Sequence, residues 1–134
     1  MSLDPYLYFD GNCREALAFY AAVFRAEPQG VMTFGDQPGA DPASPDADRV
    51  LHASLPVFGA NVMFSDCYGG FPNHQGNNIT LSVGVSDRAE AERVFTALAD
   101  GGEVTMPLGP QFFSPLFGSL TDRFGIPWMI NLTA

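Results

Sequence analysis

Apolar and polar positions along the chain change period from two to about 3.6 and back, in two rounds. Tyr6-Leu7-Tyr8-Phe9 is a short apolar run between Asp4-Pro5 and Asp10-Gly11-Asn12, which predicts a strand ended by a turn. Ala16, Phe19, Tyr20 and Val23 then fall at i, i+3, i+4 and i+7, one face of a helix ending near Arg25. Asn12, with Glu15 three residues on, predicts a capping box at its start. A strand is expected at Val31–Phe34. Gly35–Asp48 carries no large apolar residue and reads as a solvated, mobile loop. Val50–Val57 and Asn61–Asp66 read as strands joined at Phe58-Gly59-Ala60, followed by a loop from Cys67 to Asn78.

The second round starts at Asn78–Val85, where Asn78, Thr80 and Ser82 alternate with Ile79, Leu81 and Val83. Asp87 and Glu90 form a second capping-box pattern. Ala91, Val94, Phe95 and Leu98 repeat the helical stripe, and Gly101-Gly102 stops it. Phe58-Gly59-x-x-x-Met63 is echoed by Phe124-Gly125-x-x-x-Met129. The chain therefore reads β-α-β-β-β twice, an internal duplication with about 4–68 as the first module and about 77–133 as the second. Each helix is expected on one face of a sheet whose other face stays open.

Composition narrows the classes. The 134 residues suffice for one domain over 4–134. Met1-Ser2-Leu3 is left outside the fold as a cloning remnant. The net charge is −9, with six Arg, no Lys and fifteen acidic residues. No basic stretch could follow a phosphate backbone or an anionic membrane, so nucleic acid and membrane partners are not expected. No apolar run approaches the roughly 20 residues of a spanning helix. Cys13 and Cys67 have neither metal-ligand spacing nor the number for a disulfide framework, and the N-terminus lacks a signal-peptide pattern. Location in the cytoplasm is the expectation.

PYLYFDGNCREALAFYAAVF, HASLPVFGANVMFSD and GSLTDRFGIPWMINL together resemble the PhnB-like group, often labelled 3-demethylubiquinone 3-methyltransferase-like. That group lies in the glyoxalase/bleomycin-resistance/dioxygenase (vicinal oxygen chelate) superfamily. The resemblance spans about Pro5 to Leu132. It implies an α+β fold in which two tandem βαβββ modules form a curved, cupped mixed sheet with helices outside. It implies no single reaction. Metal enzymes of the superfamily carry His or Gln, Glu, His and Glu at four strand positions. Carried over, those positions fall at Pro5, Met63, Asn78 and Met129. Proline has no donor and thioethers suit soft copper(I), so no metal or other cofactor is expected. The resemblance also implies a homodimer, in which Tyr6, Tyr8 and Phe9 with Phe112, Phe113 and Phe117 would supply a shared aromatic patch.

If Met63 and Met129 face the open side, alternation places Asn61, Ser65, Pro127 and Asn131 beside them, with Asn78, Thr80 and Ser82 from the fifth strand. Counting from Ala53, Leu55 and Val57 as core adds His52 and Ser54. The expected ligand pocket is thus His52, Ser54, Asn61, Met63, Ser65, Asn78, Thr80, Met129 and Asn131. His52 is the best candidate for a general base or ligand anchor; the plainer reading is a strand histidine bonded to a loop or water. His74 reads as an exposed loop residue, Asp66 as the cap of the following turn, Cys67 as an inert thiol, and Cys13 as a small residue near the surface. Gln111-Phe112-Phe113 reads as pocket mouth, interface or core. No Gly-rich strand-to-helix turn supports an adenosyl cofactor; Gly69-Gly70 and Gly101-Gly102 read as turns. The functional expectation is a metal-independent small-molecule binding domain of unassigned activity. The alternative is a lyase/isomerase-type or dioxygenase-type enzyme acting on a small organic substrate.

Overall fold

The computed structural model describes residues 1–68 and 71–133. Gly69 and Gly70 lie outside the described residues, so their expected turn is not addressed. The first module runs β1 (Tyr6–Phe9), α1 (Cys13–Phe24), β2 (Gln29–Thr33), β3 (Val50–Val57) and β4 (Ala60–Asp66). The second runs β5 (Leu81–Val85), α2 (Arg88–Ala99), β6 (Glu103–Gln111), β7 (Ser114–Thr121) and β8 (Pro127–Leu132). Each module makes its own four-stranded sheet, ordered β1-β4-β3-β2 and β5-β8-β7-β6. In both, the first strand lies parallel to the last and the other pairs are antiparallel. The chain divides into two compact units, Met1–His74 and Gln75–Ala134.

In the first unit α1 buries Cys13, Ala16, Leu17, Tyr20, Val23 and Phe24 against its sheet. The stripe is rotated from the expected one: Phe19 is half-buried, while Cys13 is fully buried rather than near the surface. Tyr20 stacks on Phe64, and Phe64 on Phe9, so Phe9 is core and not an interface residue. The start of α1 also differs. Asn12 caps nothing, and its Oδ1 accepts from Asp10 N–H. The cap comes from the far end of β4: Asp66 Oδ1 accepts from Gly11 N–H (2.7 Å) and Cys13 N–H (3.0 Å), while Oδ2 accepts from Val50 N–H (2.8 Å). Three backbone donors make burial of this carboxylate tolerable, and the helix N-terminus favours its charge. Asp66 thus joins α1, β3 and β4, and the expected turn cap is corrected.

The segment after β2 is more built than expected. Phe34 N–H and Gly35 N–H donate to the carbonyls of Arg49 and Ala47, and tight turns at Gln37, Asp41, Ser44 and Asp46 fold the chain between them. Arg49 fastens its exit, donating to Asp10 and to the Cys67 carbonyl. Hydrogen bonding to Asp10 raises the Arg49 pKa further above its ordinary value.

In the second unit α2 buries Ala91, Val94, Phe95 and Leu98, as the stripe predicts. Asp87 accepts from Glu90 N–H, while the Glu90 carboxylate holds Arg93. Gly118 lets α2 sit close: a Cβ there would stand 2.8 Å from the Phe95 ring and 3.0 Å from Leu108 Cα. Asp122 folds the β7–β8 turn, accepting from Phe124 and Ile126 N–H and from the Trp128 indole N–H.

Candidate functional site

Each sheet has one face under its helix and one helix-free face. Directly paired residues share a face, so register assigns them. In the first unit Tyr6 pairs with Met63, Met63 with Ser54, and Tyr8 with Ser65. Ala53, Leu55, Val62 and Phe64 are buried beneath α1. His52, opposite Met32 of β2, therefore stands on the helix-free face. Its Nδ1 lies 3.0 Å from the Tyr6 hydroxyl. The Tyr6 ring stacks on Tyr8 at 5.0 Å and is tilted against the imidazole at 5.7 Å. Burial, reinforced by Tyr8 and opposed by Ser65, raises the Tyr6 pKa, so the phenol stays protonated near neutrality.

The other expected pocket residues of this face differ in access. Met63 and Ser54 are half-buried, Asn61 is exposed, and Ser65 is buried with its hydroxyl directed to the Asp66 and Val50 carbonyls. Tyr6 and Tyr8 are the residues sequence reasoning assigned elsewhere. Period-two counting from Met63 across a parallel pair would have placed them here, but that register is not written locally in the sequence.

In the second unit Ser82 pairs with Met129 and Gly84 with Asn131. A cleft of about 440 Å³ lies against this sheet, lined among others by Asn77, Thr80, Thr105, Ser119, Thr121 and Met129. Its lining holds hydroxyls, one amide and apolar groups, with no charged residue. Thr105 Oγ1 and Ser119 Oγ are 2.7 Å apart. Asn78 and Thr80 precede β5 rather than belonging to it: both are exposed, and Ile79 is exposed rather than core. Thr80 reaches the cleft, whereas the amide lining it is that of Asn77. Asn131 Oδ1 is buried with no hydrogen-bond partner among the described residues.

Metal enzymes of the superfamily that the sequence resembles hold a divalent ion, and the donors present here decide whether one would fit. Met63 stands opposite Tyr6 and Met129 opposite Ser82, so the paired positions are Tyr6 and Ser82 rather than Pro5 and Asn78. A phenol, a hydroxyl and two thioethers do not suit a hard divalent ion. Among the described residues no cluster of three or more His, Cys, Asp and Glu could hold one. The two thiols offer little more. Burial, then the neighbouring Asp66 charge, pushes Cys13 up to about 12. Cys67 is half-buried, its carbonyl held by Arg49. His74 is exposed.

The sequence profile of the 3-demethylubiquinone-9 3-methyltransferase family matches residues 2–131. The chain belongs to this family. It is 34% identical over 143 residues to Protein YjdN of Escherichia coli K12, covering 98% of this chain and 95% of the relative. The crystal structure of protein PA1353 from Pseudomonas aeruginosa is 41% identical and superposes with a TM-score of 0.89, covering 98% of this chain and 97% of that one. The PhnB protein of Bacillus cereus is 28% identical with a TM-score of 0.82, covering 99% and 100%. The fosfomycin resistance protein FosX of Mesorhizobium loti, 9% identical with a TM-score of 0.67 over 100% and 92%, shares the fold alone. The chain is thus PhnB-like, and it shares with FosX the paired βαβββ, glyoxalase-like fold. Among the described residues no helix is long and apolar enough to cross a membrane.

Proposed function

We propose that this protein is a metal-independent small-molecule binding domain whose helix-free sheet faces carry the ligand, with residues 4–134 acting as one functional unit. The observation that carries the reading is the cleft of about 440 Å³ on the second sheet, a size typical of ligand pockets. Its hydroxyl and amide lining suits an uncharged polar molecule, and Met129 gives an adaptable wall. On the first module the proposed ligand face carries His52, Ser54, Asn61, Met63 and Ser65; on the second, taken by itself, it carries Asn78, Thr80, Met129 and Asn131. The soft and hydroxyl donors at the paired strand positions support a site that works without a metal. The work is done in the cytoplasm, where Cys13 and Cys67 stay thiols.

The methyl transfer in the family's description is not carried over. The β1–α1 turn is Asp10-Gly11-Asn12 and the β5–α2 turn is Ser86-Asp87, neither of them a Gly-rich adenosyl-cofactor loop. Both helix N-termini are already engaged by the carboxylates of Asp66 and Asp87. A second reading, a lyase or isomerase moving a proton through His52, is favoured by the Tyr6 hydroxyl that fixes that imidazole.

Elemental analysis of the purified protein and a thermal-shift screen of uncharged polar compounds test the proposal. Hits should keep their full shift in a chelator and lose it with Ser119→Leu, which fills the cleft. Stoichiometric metal that is needed for binding would overturn it.

A further inference from the structure

We propose that the helix-free face of the first module binds planar aromatic molecules carrying a hydrogen-bond acceptor, with His52 Nε2–H as donor and the Tyr6 and Tyr8 rings as the stacking surface. The inference rests on the reading that helix-free faces carry ligand, and it names a ligand class for one of them.

Three observations converge. First, the rings of Tyr8, Tyr6 and His52 form a ledge running from β1 across to β3, with successive centroids 5.0 Å and 5.7 Å apart. Two of its members stay well exposed, Tyr6 at 38% and Tyr8 at 56%, although both lie on a strand whose other side chains pack inward. An added ring can extend such a stack, and aromatic pairs gain beyond the area they bury. Half-buried Met63, paired with Tyr6, and Met32, opposite His52, supply adaptable thioethers beside the ledge.

Second, the Tyr6 hydroxyl is turned onto His52 Nδ1 at 3.0 Å instead of into water. The phenol and the imidazole can each donate in this contact; we take the phenol as donor and Nδ1 as acceptor, which puts the imidazole proton on Nε2. Among the described residues Nε2 makes no hydrogen bond, so this proton is available to a carbonyl or ether oxygen lying over the rings. Tyr6 is thereby a positioning residue for His52 as well as part of the ledge.

Third, the register positions of this face carry no Asp, Glu or Arg, although the chain as a whole bears a net charge of −9. A neutral ligand meets neither a partner charge nor a repelling one there. This chemistry differs from that of the hydroxyl-lined cleft on the second module, so the two faces are separately testable.

Long-range ¹H–¹⁵N NMR resolves the tautomers, and the chain has just two histidines. His52 should be in the Nε2–H form in the free protein, and Tyr6→Phe should shift it to a mixture. Two bicyclic probes then separate acceptor from ring: coumarin, whose lactone only accepts, and indole, whose N–H only donates. Coumarin should move the His52, Tyr6 and Tyr8 resonances and bind roughly three- to tenfold more tightly than indole, the worth of one hydrogen bond. Tyr6→Phe should erase that ratio, Tyr8→Ala should weaken both probes, and Ser119→Leu in the other module should change neither. Matched melting curves keep folding out of the comparison. An Nδ1–H tautomer, an absent coumarin preference, or a preference untouched by Tyr6→Phe overturns the inference. Coumarin shifts confined to the second module also overturn it, while leaving the wider proposal standing. Silence from both probes, together with an empty thermal-shift screen, brings both down.

Discussion

Cys13 shows how much one residue's surroundings decide. Its position in the first helical turn is where a favourable dipole ordinarily lowers a thiol pKa. Here the side chain is fully buried beside the Asp66 carboxylate, and burial followed by that charge pushes it up to about 12. The folded protein therefore holds the thiol proton more tightly than the unfolded chain, whose value is near 9. Stability from this group is complete below about pH 9 and is lost as pH rises toward about 12, by about 1.4 kcal/mol per pH unit within that window. Chemical denaturation at pH 7.5, 9 and 10.5 should show the wild type losing more stability than Cys13→Ala, which cannot titrate. Equal alkaline slopes in the two proteins refute the assignment. Tyr6 carries the complementary lesson. Its type and strand were legible in the sequence, but its partner His52 is 46 residues away, and only the β1-β4-β3 order makes them neighbours.

At the scale of elements, local signals were legible wherever local chemistry decided the outcome. The period switch placed both helices, and β3 came out at Val50–Val57 as the alternation predicts. The alternation of Asn78-Ile79-Thr80 was misleading, because among the described residues no strand pairs with it before Leu81 and Ile79 stays exposed. The start of α1 was misread for a related reason. An Asn-x-x-Glu pattern competes there with a carboxylate from the end of β4, and the buried carboxylate wins because it serves two sites at once. Asp66→Ala would leave Gly11, Cys13 and Val50 N–H without their acceptor in a dry environment. At about 1–3 kcal/mol per stranded donor, the loss should be at least about 3 kcal/mol. Asp66→Asn keeps one acceptor oxygen for the helix but presents an N–H₂ group to one of the donors, and should cost less. Urea unfolding of the two variants gives the comparison. A loss below about 1 kcal/mol for Asp66→Ala would mean that water replaces the carboxylate and that the junction is not closed.

At the scale of the whole molecule, the unexplained feature is apolar surface at one end of the second sheet. Phe112 is fully exposed at the tip between β6 and β7, and Phe113 is 57% exposed while packing edge-on against Phe112 and Phe117. Val104 and Met106 of the edge strand β6 are exposed as well. We infer that a second copy of the chain covers this surface. Edge-to-edge strand pairing is a poor route, because Pro107 and Pro110 remove two ladder donors from β6 and its register is broken by bulges. Side-chain packing of the phenylalanines is the better one, as an isologous contact burying at least about 1,000 Å². Phe9, now in the core, has no part in it. Each chain carries −9, so two chains repel, and screening that repulsion should tighten the dimer. Light scattering at micromolar concentration should give about twice 14.4 kDa, with the dimer fraction rising from low to moderate salt. Phe112→Ser with Phe113→Ser should restore the monomer mass while leaving the far-UV spectrum unchanged. A wild type that stays near 14.4 kDa at every concentration and salt level refutes self-association. A dimer that survives both serines while losing its salt dependence would place the contact on a different surface.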